Sequence, residues 1–205
     1  MRIINPYFII ESEFDGFDIL KHIEKSGRTA YKSEDNITED SALIFVKMII
    51  QRGHLSVIEH YNITVRVICD RGVSHEIVRH RLASYTQEST RYCNYSKGKF
   101  GNELTVIKPI FWNEKDEKYK IWERAIKNIE ISYLKLIELG ASPQEARSIL
   151  PNSLKTEIVM TMNLREWRHF FKLRTSEGAH PQMREIAVPL LKEFQSKIPV
   201  IFENL

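Results

Sequence analysis

The sequence predicts an α+β fold with a mixed or antiparallel sheet flanked by helices, and three observations lead to this prediction. Stretches in which apolar side chains alternate every second residue are interspersed with stretches of helical periodicity. The predicted strands do not recur at the regular spacing of β-α-β units, which argues against a doubly wound parallel sheet. No repeat, low-complexity stretch or Gly/Ser/Pro-rich linker interrupts the 205 residues, so we expect one domain over residues 1–205.

The strand predictions rest on alternation and on β-branched or aromatic content. Residues 62–70 give the clearest pattern, because apolar side chains occupy every second position from Ile63 to Cys69. Residues 2–11 are rich in Ile, Phe and Tyr and are predicted to form one strand. The remaining predicted strands are residues 103–107 and 154–162.

Seven segments carry helical periodicity or helix start signals. Thr38 and Asn163 are predicted N-caps, the second with Glu166 three residues further on, as in a capping box. Pro143 and Pro181 suit the first position of a helix, where a missing N–H is not needed. The predicted helices cover residues 17–27, 38–53, 74–81, 113–140, 143–150, 181–197 and a segment beginning at 163.

The composition is that of an ordinary folded protein and excludes the disordered and fibrous classes. Hydrophobic residues make up 42% of the chain and charged residues 28%. The 30 Lys+Arg and 27 Asp+Glu residues leave a formal net charge of +3, a weak field beside the basic face of a duplex-binding protein. We therefore expect no nucleic-acid polymer as a partner, and any cationic chemistry must come from local concentration.

Cysteine content and hydropathy point to the cytoplasm. Two cysteines, Cys69 and Cys93, are too few for a disulfide scaffold, so we expect reduced thiols. The first residues lack the basic region and cleavage site of a secretory signal. No run approaches the roughly 20 apolar residues of a membrane span. The sequence thus predicts a cytoplasmic protein without membrane attachment.

The densest concentration of functional groups lies between residues 79 and 92. Arg79, His80 and Arg81 are consecutive, and a run rich in hydroxyl and amide side chains follows them up to Arg91. The planar guanidinium group suits bidentate phosphate recognition, and hydroxyls or backbone amides complete such a site. On a helix, consecutive side chains point about 100° apart, so these three suit two ligands, or one ligand and a neighbouring subunit. The alternative is a solvated basic helix end whose arginines pair with nearby glutamates.

Spacing excludes several better-known kinds of site. His75, Glu76 and His80 form H-E-x-x-x-H, one residue longer than the H-E-x-x-H of zinc proteases. With 8 glycines and no G-x-G-x-x-G, G-x-x-x-x-G-K-[ST] or G-x-S-x-G motif, no Rossmann or P-loop cradle is expected. Cys93 has no evident base partner in the sequence and is interpreted as a packing residue. We expect no metal ion.

The cationic cluster resembles the signature of the flavin-dependent thymidylate synthases, R-H-R-x-x-S-x-N-x-x-S-x-R. Six of the seven fixed positions match, and Thr86 stands where the signature has Asn. Residues 53–60, the A-R-x-x-L-P element at residues 146–151 and the stretch 163–174 with its following His180 and Gln182 are also similar to the family. His169 stands where Asn is expected. The resemblance therefore extends through most of the chain.

The resemblance implies the conversion of dUMP to dTMP in thymidylate biosynthesis. Such enzymes use methylenetetrahydrofolate as the carbon donor, FAD as the hydride carrier and NADPH as the reductant. They are homotetramers that bind FAD and nucleotide where subunits meet. The resemblance gives Arg174 the catalytic role: a guanidinium near the O2/N3 edge of uracil stabilises the charge that develops as C5 attacks the one-carbon unit. Such a mechanism needs no cysteine nucleophile.

The resemblance also assigns ligand contacts by position. For FAD the implied residues are His54, Ser56, Arg79, His80, Arg81, Gln87, Asn163, Leu164, Arg165 and His169. For dUMP they are Glu76, Ile77, Val78, Arg79, Gln87, Glu88, Ser89, Thr90, Arg91, Arg147 and Arg174. The carboxylates of Glu76 and Glu88 cannot favourably meet a phosphate, so we expect them to orient arginines or to offer backbone amides.

Two other functions stay open at this point. A non-catalytic module would use the cluster at residues 79–91 to bind RNA or DNA with strong salt dependence. A family member that binds dUMP and flavin but has lost activity would differ only through Thr86 and His169. Considered singly, Arg147 and Arg174 also suit the last turn of a helix, where the helix dipole favours a cation.

Overall fold

The strands of the computed structural model, which describes all 205 residues, pair in two sheets. β1 (Arg2–Ile4) and β5 (Thr105–Ile107) pair in parallel. The larger sheet has the order β2–β3–β6–β4, in which these strands are Tyr7–Ile10, Asn62–Asp70, Lys155–Asn163 and Ala83–Gln87 respectively.

The two central strands of the larger sheet, β3 and β6, run in opposite directions. The Thr64 and Thr161 hydroxyls lie 2.9 Å apart, and beyond the other end of β3 the amide of Arg71 donates to the carbonyl of Asn152 at 2.9 Å. Pairing of later residues in one strand with earlier residues in the other is the antiparallel arrangement. The predicted α+β class with a mixed or antiparallel sheet is confirmed.

The chain divides into two compact units, each assembled from three segments. The first unit comprises Met1–Tyr7, Val67–Arg79 and Thr86–Ile158, and the second comprises Phe8–Arg66, His80–Tyr85 and Val159–Leu205. One domain over residues 1–205 stays a prediction.

The first unit contains three helices, α3 (Arg71–Ile77), α4 (Glu117–Glu138) and α5 (Pro143–Ala146). Asp70 starts α3, because its side chain accepts a hydrogen bond from the amide of Val73 at 2.7 Å. Residues of α4 and α5 contribute to the core of this unit, whose buried members are Tyr95, Leu104, Tyr133, Ala146 and Leu154.

The second unit contains α1 (Gly16–Arg28), α2 (Ser41–Gln51), α6 (Leu164–Arg174), α7 (Pro181–Lys197) and α8 (Pro199–Phe202). Trp167 is fully buried at its centre, with ring centroids 5.5 Å from Phe170, 5.5 Å from Phe171 and 5.0 Å from Phe194. The indole N–H donates to the carbonyl of Ile63 at 3.1 Å, so the polar atom of this core residue is satisfied. These contacts fix α6 against β3 and α7.

Several predicted elements appear with the predicted bounds. The strand at residues 62–70 and the helix at residues 181–197 match at both ends. Pro143 begins α5, and a 3-10 turn at Arg147–Ile149 ends the segment before Pro151. Asn163 is the N-cap of α6, and its side chain accepts from the amide of Glu166 at 2.9 Å.

Three predictions of local structure are wrong. Residues 2–11 form two strands, because Pro6 has no N–H for a ladder hydrogen bond and separates β1 from β2. Thr38 does not cap α2, which begins after Asp40; the hydroxyl of Ser41 instead accepts from the amide of Thr38 at 2.9 Å. The helix predicted at residues 74–81 spans Arg71–Ile77: the side chain of Asp70 caps it three residues before the predicted start, and it ends four residues before the predicted end.

None of the helices is both long enough and apolar enough to cross a lipid bilayer.

Candidate functional site

The consecutive cations Arg79, His80 and Arg81 lie in the segment that links α3 to β4. They are not helical, contrary to the prediction, yet their side chains still diverge. Arg79 and Arg81 are exposed, whereas the His80 residue is only 4% exposed. The two arginines are therefore available to ligands, while the histidine belongs to the interior of the second unit.

Both ring nitrogens of His80 are engaged by α6. Its Nδ1 lies 3.1 Å from Oε1 of Glu166, and its Nε2 lies 3.0 Å from Nε of Arg174. A guanidinium N–H is always a donor, so Nε2 must accept and the ring proton must sit on Nδ1, where it donates to the carboxylate. The three side chains thus form one chain of hydrogen bonds, Glu166–His80–Arg174, in which every direction is determined.

His80 is neutral at physiological pH. Burial lowers its pKa to about 4, and the positive charges of Arg174 and His169 act in the same direction. Burial also raises the pKa of Glu166. A neutral imidazole with a proton on Nδ1 can accept from Arg174, which an imidazolium cannot do.

The sequence of α6 explains how these groups reach one another. The Asn163 cap fixes the first turn of the helix, in which Glu166 lies. The rings of His169 and Phe170 lie edge-on to the His80 ring, with centroids 5.6 Å and 5.0 Å away. Arg174 follows in the last turn, half-buried. Packing on one face of α6 therefore holds the His80 ring, and polar groups at both ends of the helix bind it.

Glu166 is a residue that sequence reasoning assigned only to a capping pattern. It retains 6% exposure and its carboxylate faces the His80 ring. The signal available in the sequence was an acid on an otherwise apolar helix face, eight residues before Arg174. Tyr85 was missed as well: its hydroxyl donates to the carbonyl of His80 at 2.6 Å.

The other residues that the resemblance assigns to FAD lie mainly in the second unit. His54, Ser56, Arg165 and His169 are exposed, and Asn163 is partly exposed. Arg165 pairs with Glu59 at 2.6 Å, which joins α6 to the 3-10 turn Leu55–His60 that carries Ser56. Leu164 is fully buried, so only its backbone could meet a ligand. Arg79 and Gln87 lie in the first unit.

The residues assigned to dUMP, apart from Arg174, all lie in the first unit. Gln87, at the end of β4, donates through Nε2 to the hydroxyls of Ser74 at 2.9 Å and Thr156 at 3.1 Å. Ile77 and Thr90 are buried, Glu76 is partly exposed, and Val78 and Arg79 are exposed. Of the residues assigned to dUMP in the first unit, some therefore reach the surface with their side chains and others, such as Ile77 and Thr90, do not.

Glu88 does neither of the things expected of it. Its carboxylate accepts from Nζ of Lys155 at 2.9 Å and from the hydroxyl of Tyr95 at 3.0 Å, and no arginine takes part in these contacts. Its amide donates to the carbonyl of Glu157 at 2.8 Å. The expectation was wrong because a neighbouring strand supplies a lysine that the sequence separation concealed.

Arg91 and Arg147 form the exposed cationic part of the first unit's set. The Nε–H of Arg91 donates to Oε1 of Gln144 at 3.2 Å, and its guanidinium lies 5.3 Å from the Tyr92 ring centroid. Gln144 belongs to α5, directly before the turn that carries Arg147. Ser89 accepts from the amide of Arg91 at 3.3 Å. This part of the first unit therefore offers guanidinium groups from Arg91 and Arg147, a side-chain amide from Gln144 and a hydroxyl from Ser89.

Neither cysteine is suited to nucleophilic attack. Both thiols are free; burial raises the pKa of Cys69 far above its usual range and also raises that of Cys93. Because the thiolate is the nucleophile, both groups are unreactive near neutral pH.

One trio has the composition of a metal site. Ligand atoms of His80, Glu166 and His169 all lie within 4.8 Å of one another. The Nε2 of His80 already accepts from Arg174, and its Nδ1 carries the proton donated to Glu166. A metal ion bound through His80 would have to displace one of these hydrogen bonds. The three residues therefore suit the hydrogen-bond chain Glu166–His80–Arg174 better than a metal site.

The cavities within the first unit do not coincide with the assigned set. Two cavities of about 570 Å³ and 420 Å³ lie there. Of the assigned residues, only Glu88 lines either of them, together with Tyr95 and Lys155 in the smaller one.

The chain matches known proteins over most of its length. The family model described as thymidylate synthase complementing protein matches residues 17–200. A flavin-dependent thymidylate synthase from Pyrococcus furiosus is 36% identical over 172 residues, which are 83% of this chain and 70% of that protein. Another from Geobacter sulfurreducens is 33% identical, over 83% of this chain and 72% of the relative.

Solved structures with the same fold are more distant in sequence. A UMP/dUMP methylase, PolB from Streptomyces cacaoi bound with 5-Br dUMP, superposes with a TM-score of 0.79 at 22% identity. The match covers 99% of this chain and 96% of that one. This likeness establishes the fold.

Proposed function

Since the chain belongs to the thymidylate synthase complementing protein family, which includes the flavin-dependent thymidylate synthases, we propose that it converts dUMP to dTMP by reductive methylation. Methylenetetrahydrofolate is the carbon donor and NADPH the reductant. The observation that carries the proposal is the half-buried Arg174, which neutral His80 orients through a hydrogen bond of 3.0 Å.

Arg174 supplies the electrostatic part of the reaction. When C5 of uracil attacks the one-carbon unit, negative charge develops at the O2/N3 edge of the ring, and a fixed guanidinium stabilises it without reorganising. The hydrogen bond to His80 engages the Nε–H of Arg174 and fixes the direction of its guanidinium. The raised pKa values of both cysteines agree with a route that uses no thiolate.

The residues proposed to bind FAD suit an anionic flavin nucleotide. Arg81 and Arg165 supply cations, and His54, Ser56 and His169 supply exposed hydrogen-bonding groups. This donor set replaces the glycine-rich cradle that the sequence lacks. FAD, when bound, supplies the hydride that reduces the transferred carbon to a methyl group.

The residues proposed to bind dUMP are those of the first unit that offer cations and hydroxyls together. Arg91, Arg147 and Ser89 suit the phosphate, since arginine forks and hydroxyls match its oxygens. Gln87 is held by Ser74 and Thr156, so its amide oxygen is left in a fixed place. Glu88 acts at a distance from the ligand, by fixing Lys155 and Tyr95.

We further propose a homotetramer in the cytoplasm, with the ligand sites completed where subunits meet. The exposure of the arginines Arg79, Arg81, Arg91 and Arg147, none of which forms an ion pair within its own chain, supports sites that another subunit completes. The free thiols of Cys69 and Cys93 agree with a reducing compartment.

The experiment that tests the function measures release of the C5 proton from dUMP labelled there with tritium. The purified protein, loaded with FAD, is expected to absorb near ~450 nm, to release tritium, and to form dTMP when folate and NADPH are added. A protein that binds FAD and dUMP but releases no tritium is an inactive relative. A colourless protein that does not take up FAD contradicts the proposal.

A further inference from the structure

We propose that Glu166 is a positioning residue that holds Arg174 in place through His80. The inference rests on the proposed function, because it gives Glu166 a role in the step that Arg174 stabilises. The carboxylate of Glu166 lies 3.1 Å from Nδ1 of His80, and it acts on Arg174 only through that ring.

The geometry carries the inference. The two hydrogen bonds, 3.1 Å from Nδ1 of His80 to Glu166 and 3.0 Å from Nε of Arg174 to Nε2, lie on opposite sides of one rigid ring. Since imidazole is rigid, the position of the carboxylate fixes both the ring plane and the point at which Arg174 must donate. Both ends of the connection lie on α6, while the ring comes from the segment before β4.

The residues around the His80 ring leave it few alternative orientations. Phe170 packs against it at 5.0 Å and His169 at 5.6 Å, and Tyr85 donates to the His80 carbonyl at 2.6 Å. A buried polar group that loses its partner suffers the full cost of desolvation. The buried carboxylate and the buried ring therefore hold each other in a single arrangement.

Glu166 acts by stabilising the tautomer that Arg174 requires, because its carboxylate accepts the Nδ1 proton. With an acceptor at Nδ1, the ring proton stays there and Nε2 keeps its lone pair for Arg174. Without that acceptor the proton can move to Nε2, where it meets the Nε–H of Arg174, and two donors then face each other. Arg174 would lose its hydrogen bond to His80 although its own side chain is unchanged.

Two substitutions separate this role from a merely structural one. In Glu166→Gln the amide oxygen can still accept from Nδ1, so we expect the wild-type tautomer and kcat within about threefold of wild type. In Glu166→Leu no acceptor remains, and we expect kcat to fall roughly 10- to 100-fold with little change in bound flavin or in KM for dUMP. Glu193→Leu, which removes an exposed acid from α7, is the matched control.

The tautomer is measured directly by 15N NMR of histidine-labelled protein, with His80→Gln used to assign the signal. We expect a proton on Nδ1 in wild type and Glu166→Gln, and a mixture with a measurable fraction on Nε2 in Glu166→Leu. Wild-type protein with the proton on Nε2 overturns the proposal even if Glu166→Leu does not fold. A changed tautomer with unchanged kcat also overturns it.

The same spectra separate this proposal from the proposed function. If the wild-type protein makes no dTMP, the proposed function is contradicted. The connection from Glu166 through His80 to Arg174 can still be tested then, because the Arg174 Nε–H resonance reports on its hydrogen bond. Broadening or loss of that resonance in Glu166→Leu but not in Glu166→Gln supports the link. An unaltered resonance in both variants overturns it.

Discussion

Arg174 is the residue on which the proposed chemistry depends most. We expect Arg174→Ala to lower dTMP formation by roughly 10²–10³-fold, the usual effect of removing one donor from a site of developing negative charge. The helix should persist, because Arg174 lies in its last turn and is only half-buried. The rate of dTMP formation measures the first effect, and far-ultraviolet circular dichroism shows whether the helix persists. Arg124→Ala, an exposed arginine of α4, is the control, and wild-type turnover in Arg174→Ala would contradict the assignment.

The protonation of His80 gives a second prediction at the scale of single residues. Its pKa is about 4 instead of the usual 6.5, so the folded protein binds fewer protons than the unfolded chain between these values. The stability that neutral His80 contributes is therefore complete above pH 6.5 and is lost as the pH falls through about 4.

The measurement is an NMR titration of the histidine C2 protons. The His80 resonance should titrate at a pH of about 4. A titration of Glu166, whose pKa is raised, changes the proton balance in the opposite sense, so the ring itself must be followed. A His80 pKa above 6 would contradict the burial and charge argument.

At the scale of secondary structure, the Asn163 N-cap fixes the start of α6, the helix that carries both Glu166 and Arg174. Asn163→Ala removes the acceptor of the Glu166 amide and should lower the free energy of unfolding by about 1 kcal/mol. Asn163→Asp keeps an acceptor and should be nearly neutral. Urea denaturation measures both, with Asn128→Ala on the exposed face of α4 as control. Equal stability of Asn163→Ala and wild type would show that the cap contributes nothing.

The elements that the sequence predicts well have strong local signals. α6 and α7 begin at a capping Asn and at a first-turn Pro, and β3 alternates over its whole length, so local chemistry alone determines them. β4 was not predicted because its side chains are mostly polar and show no apolar alternation. Its strand conformation comes from pairing with β6, which lies some 70 positions further along the chain.

The hydrogen-bond chain from Glu166 to Arg174 was equally invisible in the sequence. The family signature identified His80, and the similar stretch 163–174 identified Arg174, but the signature grouped His80 with the exposed arginines beside it. Only the fold reveals that its side chain turns inward and meets a carboxylate 86 positions away in the chain. Likewise, Lys155 is the partner of Glu88 because two strands bring them together.

At the scale of the whole molecule, the proposed ligand residues follow the two compact units. Those proposed for dUMP lie in the first unit apart from Arg174, and most of those proposed for FAD lie in the second. The small net charge of +3 is compatible with these sites, because exposed arginines are concentrated on short segments in each unit.

The stability of the second unit should depend strongly on its aromatic core. Trp167→Ala removes a fully buried side chain that contacts three phenylalanine rings, and we expect a loss of about 3–5 kcal/mol in the free energy of unfolding. Trp167→Phe should cost less, although it leaves the Ile63 carbonyl without its indole donor. Denaturant titration measures the free energy of unfolding of both variants. A Trp167→Ala variant as stable as Trp167→Phe would contradict the prediction.

The direct passage from β6 into α6 restricts how the length of the chain can vary. The strand ends at Asn163 and the helix begins at Leu164, whose amide donates to the carbonyl of Tyr61 at 3.1 Å. With no loop to absorb it, an inserted or deleted residue within α6 would turn everything beyond it by about 100° around the helix axis. Arg174 would then leave the His80 ring. Length variants should therefore be accommodated at Ser176–Ala179, beyond the helix, and rejected between Asn163 and Arg174.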